Sequence, residues 1–387
     1  MIDHVLIVGA GPAGSVAAAV LARAGARVRL FDRSTFPREK LCGDTVNPGT
    51  LGVLRRLGLA ASIEERGLRV DGMRVTGEHG VAIEGRYPRH LSGRAIMRRD
   101  LDWALLQQAI AAGAQFEAES AVRGALTDER GVAGITFGRH ASEHEVRARV
   151  TIAADGRRST IAFGLGLLRH PERPRRWAIG AYYENVAGAS TLGEMHVRRG
   201  RYIGVAAVPG GLTNVCVVKP SRPGDAALRD PVALLRQELS RDADLRLRFA
   251  DARLAHPPVM LGPLAVEGTG AAIDGLLLAG DAAGFIDPMT GDGLRFAVRG
   301  GELAAAAALE ALEHGWTGVH HRLAERRRAE FAGKWRFDRM LRALVGSPRA
   351  VEVAALGASV APGVLRAIIS RAGDCSVADV DYADSRL

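Results

Sequence analysis

The ten residues 39–48, EKLCGDTVNP, hold a thiol and a carboxylate two positions apart beside a glycine turn. Cys42 follows the charged Glu39 and Lys40 and precedes Gly43 and Asp44, which is not how a core cysteine is usually framed. Both side chains are weak acids, and a thiol is largely protonated at neutral pH. Cys42 and Asp44 are therefore the candidate proton donors of the chain. The alternative reading makes Cys42 a small apolar filler at the foot of a loop.

Upstream lies a second group of residues with a chemical use. Gly9, Gly11 and Gly14 form G-x-G-x-x-G directly after the apolar run of residues 4–8, and an alanine-rich segment follows as far as Gly25. RVRLFD then reads as a second strand ending at Asp32. Strand, glycine turn, helix, strand and terminal acid together make a dinucleotide cradle. The glycines allow a tight turn and close approach to a pyrophosphate, the helix N-terminus offers N–H donors, and Asp32 can accept from a ribose hydroxyl. Far downstream, residues 275–308 repeat the pattern of a buried strand, a Gly280-Asp281 turn and a long helix that starts near Gly293 or Leu294. Asp281 suits the hydroxyls of a ribityl chain. The Gly291-Asp292-Gly293 turn leaves backbone donors at a helix start, facing whatever lies above; if that is a flavin ring, they would stabilise the negative charge of its reduced form.

With these motifs in order, the chain resembles the FAD-dependent oxidoreductases of the aromatic-hydroxylase superfamily, and within it the geranylgeranyl reductase-like family. The likeness spans about residues 1–310. It rests on GAGPAG with Asp32, DRSTFPREKLCGD, RRDLDWALLQQAIAAGA (98–114), AADGRRSTIA (153–162) and GDAAGFIDPMTGDG (280–293). The resemblance implies FAD as cofactor, with Asp281 on the ribityl chain, Asp155 and Gly156 on the flavin side and Arg98 near the phosphates or the adenosine. It extends the cofactor-binding set to Ala13, Arg33, Arg38, Cys42, Gly43, Gly280, Pro288, Gly291, Gly293 and Leu294. Arg98 as a helix cap and Asp155-Gly156 as a plain tight turn are the structural alternatives.

The elements that must position these residues follow from the pattern of the rest. The expected fold is α/β: a Rossmann-type FAD-binding domain (1–65, 98–168 and 256–310) interleaved with an antiparallel-sheet substrate domain (66–97 and 169–255). A C-terminal helical arm and tail (311–387) complete it. Short alternating runs such as RWAIGAYYENV, RYIGVAAV and TNVCVV support the antiparallel sheet. Lipid-reducing members of the family carry Y-x-W-x-F-P in this sheet. Here GVAAVP puts Gly204, Ala206 and Val208 in place of the rings, so either the cavity is wider or Tyr182, Tyr183 and Tyr202 fill it. A flavin halogenase would show W-x-W-x-I-P and an active-site lysine. The chain has no such tryptophan pair, and its lysines are only Lys40, Lys219 and Lys334.

Composition bounds the remaining choices. The net charge of +9 is carried almost wholly by arginines spread along the chain, and aromatics are 5%, which argues against a nucleic-acid surface. Three cysteines without a C-x-x-C argue against a zinc site or a disulfide framework and fit a reducing compartment. Residues 5–22 carry no charge, but the glycine turn and the preceding Asp3 read better as strand, turn and helix than as a membrane span. A cytoplasmic protein is expected, a monomer or weak dimer, with no metal. The arginine-rich periodic segment 321–345 and its successor 351–371 raise peripheral contact with anionic lipid, against plain packing on the domain. The tail VADVDYADSRL is acidic and expected to be poorly ordered.

The expected function is reduction of carbon–carbon double bonds in a small hydrophobic substrate (isoprenoid, polyene or polyketide-like) by hydride transfer from reduced FAD. The alternative is a flavin-dependent monooxygenase acting on an aromatic or polyketide substrate. With no second G-x-G-x-x-G, NAD(P)H or another electron donor would bind only transiently.

Overall fold

The computed structural model describes residues 3–78, 80–88, 90–139, 142–172, 176–221, 224–285, 289, 291–345 and 362–376. Its first sheet runs in the order Ala272–Ile273, Leu276–Leu278, Ser142–Ala153, Asp3–Val8, Val28–Phe31, Gln115–Glu117. The last five of these strands pair in parallel, with Val5 opposite both Val150 and Val28. Both faces are covered, so the central strands are apolar at consecutive positions rather than alternating. Val5, Leu6 and Ile7 are fully buried. On one face Val5 and Ile7 meet Val16 and Leu21 of the helix Pro12–Arg23 and Ala304 and Ala308 of the helix Gly293–His314, and on the other Leu6 packs with Phe31, Ile135 and Ile161.

The second sheet is antiparallel apart from one pair. Its order is Arg253–Leu254, Arg176–Glu184, Leu212–Pro220, Arg201–Val208, Leu192–Arg198, Gly72–Thr76, Ala82–Arg86. The strand Val259–Leu261 also pairs with Arg176–Glu184, so this sheet continues past residue 255, where the sequence reading ended it. That boundary was missed because Val259–Leu261 is a three-residue edge strand with no alternation to read. Period-two alternation sorts the sheet's two faces. Ile179, Ile203, Val205, Val215 and Val217 pack against Leu234, Leu235 and Leu239 of the helix Pro231–Arg241. The residues between them face the 39–48 loop. A third, three-stranded sheet of Thr45–Val46, Gly93–Ala95 and Leu68–Val70 fixes the end of that loop.

The helix Val319–Val345 buries Leu323 and Phe331 and leaves Met340 58% exposed, so its apolar stripe is spent on the domain over most of its length. The helix Pro362–Ala372 follows. Residues 346–361 and the acidic tail 377–387 lie outside the described residues, as does Pro288. Among the described residues no helix is long and apolar enough to cross a membrane.

Candidate active site

The glycine turn has the geometry its sequence implied. Gly9 sits at φ 97°, and a Cβ on Gly14 would lie 1.9 Å from the Gly9 carbonyl oxygen, so strand and helix approach as only glycine permits. The helix Pro12–Arg23 begins at Gly11 with no side-chain cap, which leaves its first N–H groups available. The Asp32 carboxylate accepts from Ala10 N at 2.8 Å and Ser34 N at 2.9 Å and so stands beside the turn. A Cβ on Gly11 would be 3.6 Å from Arg38 Nη2, which places that guanidinium over the turn. Arg33 is exposed.

A second set of polar groups lines the same region. Asp281, in the turn Gly280–Ala283, has its carboxyl raised by burial and lowered again by Lys40, Arg98 and Arg157 around it. Burial and the neighbouring Arg98 hold Lys40 below the usual lysine range. Asp155 is raised to about 6 by burial; its Oδ2 accepts from Thr160 N at 2.9 Å, while among the described residues its buried Oδ1 has no hydrogen-bond partner. Gly156 (φ 84°) and Gly291 (φ 71°) are left-handed turn positions. Gly293 opens its helix, and Leu294 is buried. An uncapped helix start, an orphaned carboxylate oxygen and three cations around one aspartate fit a bound dinucleotide with a pyrophosphate and polyol chain.

Arg98 proves to be more than a helix cap. It is buried at the first position of the helix Arg98–Ala111 and makes a bidentate pair with Asp102, Nε–Oδ1 2.9 Å and Nη2–Oδ2 3.0 Å. Burial alone would lower its pKa, but Asp102 and the nearby Cys42 sulfur outweigh that and raise it. Arg38 reaches the same Asp102 at 3.2 Å. Asp102 was overlooked in the sequence, although its spacing of four from Arg98 on a helix was a usable signal. Replacing Arg98 with methionine leaves the fully buried Asp102 with Arg38 alone. It is expected to destabilise the fold by about 3 kcal/mol, read as a loss of melting temperature that Arg98→Lys partly restores; an unchanged melting temperature would contradict this role.

The two candidate acids come together with partners from the second sheet. Asp44 has no solvent exposure and a left-handed φ of 53°. Its Oδ2 accepts from the Tyr182 hydroxyl at 2.6 Å and from Asn214 Nδ2 at 2.7 Å, and its Oδ1 accepts from Arg98 N at 3.2 Å. Asn214 also donates to the Cys42 carbonyl at 2.7 Å, so one amide fastens both sides of the Gly43 turn. Burial raises the Asp44 carboxyl to about 7 against these hydrogen bonds, Tyr182 foremost.

The strand register explains why Tyr182 and Asn214 meet. They are direct cross-strand partners, and the next inward row is Gly180, Cys216, Gly204 and Met195. Leu41 fills the space over Gly180, where a Cβ would come within 2.3 Å of Leu41 Cδ1. Among the described residues the Cys216 carbonyl oxygen, at 3.9 Å, is the only atom within 4 Å of a Cβ built on Gly204, so none of them fills the place of the absent ring there. Cys216 is half-buried and its thiol is pushed up to about 12 by burial and by Cys42, which keeps it neutral. Leu41, Tyr202, Met289, Met195, Leu261 and Phe285 make the surrounding wall apolar.

Residues 3–333 match the family model described as FAD binding domain. The chain belongs to that family, on its geranylgeranyl reductase-like branch. It is 34% identical over 319 residues to the menaquinone reductase of Mycobacterium tuberculosis (strain CDC 1551 / Oshkosh), covering 78% of this chain and 75% of that one. It is 31% identical over 327 residues to the digeranylgeranylglycerophospholipid reductase 1 of Methanopyrus kandleri, covering 80% and 81%. The solved structure of the flavin-dependent brominase Bmp2 superposes with a TM-score of 0.85 over 100% of this chain and 98% of that one, at 19% identity, a likeness of fold. As a geranylgeranyl reductase-like FAD oxidoreductase, the chain would hold the dinucleotide along the Gly9–Gly14 turn, Asp32, Arg38 and Asp281.

Proposed function

We propose that this enzyme reduces a carbon–carbon double bond of an apolar substrate held between the 39–48 loop and the inner face of the second sheet. In this reading the second sheet is a substrate domain interleaved with the FAD-binding domain. Asp44 is the observation that carries it. A carboxyl raised to about 7, buried beside Cys42 and hydrogen-bonded to a half-buried tyrosine, is a proton source held ready at neutral pH. The reductase names of the two relatives support the same direction.

Bound FAD, once reduced, supplies the hydride. The protein's own residues do the rest. The apolar wall of Leu41, Met195, Tyr202 and Phe285 excludes water and presses the substrate against the loop. When Asp44 is protonated the 2.6 Å contact can run the other way, with the carboxyl donating to the Tyr182 oxygen, so that a proton passed from the Tyr182 hydroxyl to the substrate is replaced by the Asp44 proton and Asp44 is left as the carboxylate. Cys42, facing Arg98, is the other candidate donor. NAD(P)H or another electron donor, bound transiently, provides the reducing equivalents.

The protein reduced anaerobically with dithionite and mixed with geranylgeraniol or a polyene should reoxidise with one of them in the absence of oxygen, yielding a product with one double bond fewer and two hydrogens more. Oxygen uptake coupled to hydroxylated product, with no anaerobic reoxidation, would overturn the reductase reading in favour of a monooxygenase.

A further inference from the structure

The long helix Gly293–His314 starts at Asp292, a residue type that normally caps its own helix by accepting from the first N–H groups. Here it makes no such bond. The Asp292 carboxylate, 1% exposed, turns away to Lys334 Nζ at 3.0 Å and Asn47 Nδ2 at 3.1 Å. Lys334 itself is 4% exposed and lies on the helix Val319–Val345. Its ammonium group also meets Asp374 Oδ1 at 3.3 Å and donates to the Arg371 and Ala372 carbonyls at 2.8 and 3.0 Å. Arg295 completes the cluster, 3.5 Å from Asp374 Oδ2 and 2.5 Å from Glu330 Oε1.

Two consequences follow from elementary electrostatics. The ammonium group offsets the charge of a buried carboxylate that lies at the positive end of a 22-residue helix. It also prevents that carboxylate from occupying the helix's first N–H groups. We propose that Lys334 is a positioning residue for the cofactor: by holding Asp292 off the helix start, it keeps that end free to stabilise negative charge on the flavin. The inference rests on the family-based placement of the 291–293 turn against the flavin ring. It assigns a cofactor-tuning task to a residue of the C-terminal arm, outside every dinucleotide motif.

The test is the midpoint potential of the bound FAD, measured by reductive titration against a reference dye. Lys334→Met should disfavour flavin reduction about tenfold, a fall of about 30 mV for a two-electron couple, because Asp292 then caps the helix or stays charged beside it. Asp292→Asn should shift the potential the other way, and the double variant should return close to wild type. A Lys334→Met protein that holds FAD with an unchanged or higher potential overturns the proposal. Should that variant lose FAD or fail to fold, Asp292→Asn decides alone: a rise supports the proposal, and no change or a fall overturns it. Failure of the wild-type chain to bind FAD would instead remove the family placement, and the inference with it. Neither potential depends on whether the enzyme reduces or hydroxylates its substrate.

Discussion

Replacing Asp44 with asparagine is expected to lower turnover by about 10²- to 10⁴-fold, the usual worth of a positioned general acid, while FAD stays bound. Asparagine tolerates the left-handed backbone of this position and keeps its size, so the loop should survive. The wild-type rate should fall on the alkaline side with an apparent pKa near 7, since only the protonated carboxyl can donate. Tyr182→Phe removes the relay hydroxyl and should lower turnover as well; it also removes the hydrogen bond that most favours the charged form of Asp44, so the alkaline limb of the remaining rate should move to higher pH. Stability gives an independent reading. A carboxyl whose pKa is raised on folding binds its proton in the native state where the unfolded chain does not. Stability is therefore lost as pH rises from about 4 to about 7, and the loss is complete above that. Asp44→Asn should lack this slope in melting temperature. An Asp44→Asn enzyme with wild-type turnover and an intact alkaline limb would remove Asp44 from the mechanism and leave Cys42 as the donor.

Gly14→Ala is expected to have the second large effect. The added Cβ would meet the Gly9 carbonyl oxygen at 1.9 Å, and neither atom belongs to a side chain that can swing aside. The helix start must move off the strand, at a cost of about 1–3 kcal/mol, and the N–H groups of the turn move with it. FAD affinity, followed by the fluorescence of released cofactor, should fall by about 10- to 100-fold, with a lower melting temperature. Gly25→Ala serves as the control. Its backbone also has a positive φ, 82°, but nothing lies within 4 Å of the new Cβ, so it should lose a little stability and no cofactor. Equal FAD binding by Gly14→Ala and wild type would mean that the turn does not carry the dinucleotide.

Much of the cofactor half of this protein was legible in one dimension. Its first and last parallel strands are short apolar runs, the turns that follow them carry glycine, and Asp32 and Asp281 stand within a few residues of strand ends. Such signals are local, so a window of a few tens of residues contains the whole unit. The short edge strand Val259–Leu261 was missed because three residues show no period, and Asp102 because one carboxylate among many charged helix positions has no mark of its own.

The sequence by itself determined a dinucleotide cradle, the family, and a thiol and an acid close together in one loop. It named Cys42 and Asp44 as candidate donors and leaned on the thiol, because nothing in EKLCGDTVNP says which side chain is buried. The tertiary structure decided between their environments. It brings Tyr182 and Asn214 to Asp44 across 138 and 170 residues of chain, and Lys334 to Asp292 from the C-terminal arm. The physical reason is that a pKa or a helix-end field depends on distances in space and on exclusion of water. Neither is a property of neighbouring residues: the first arises only once the second sheet closes over the loop, the second only once the C-terminal helix packs against Asp292.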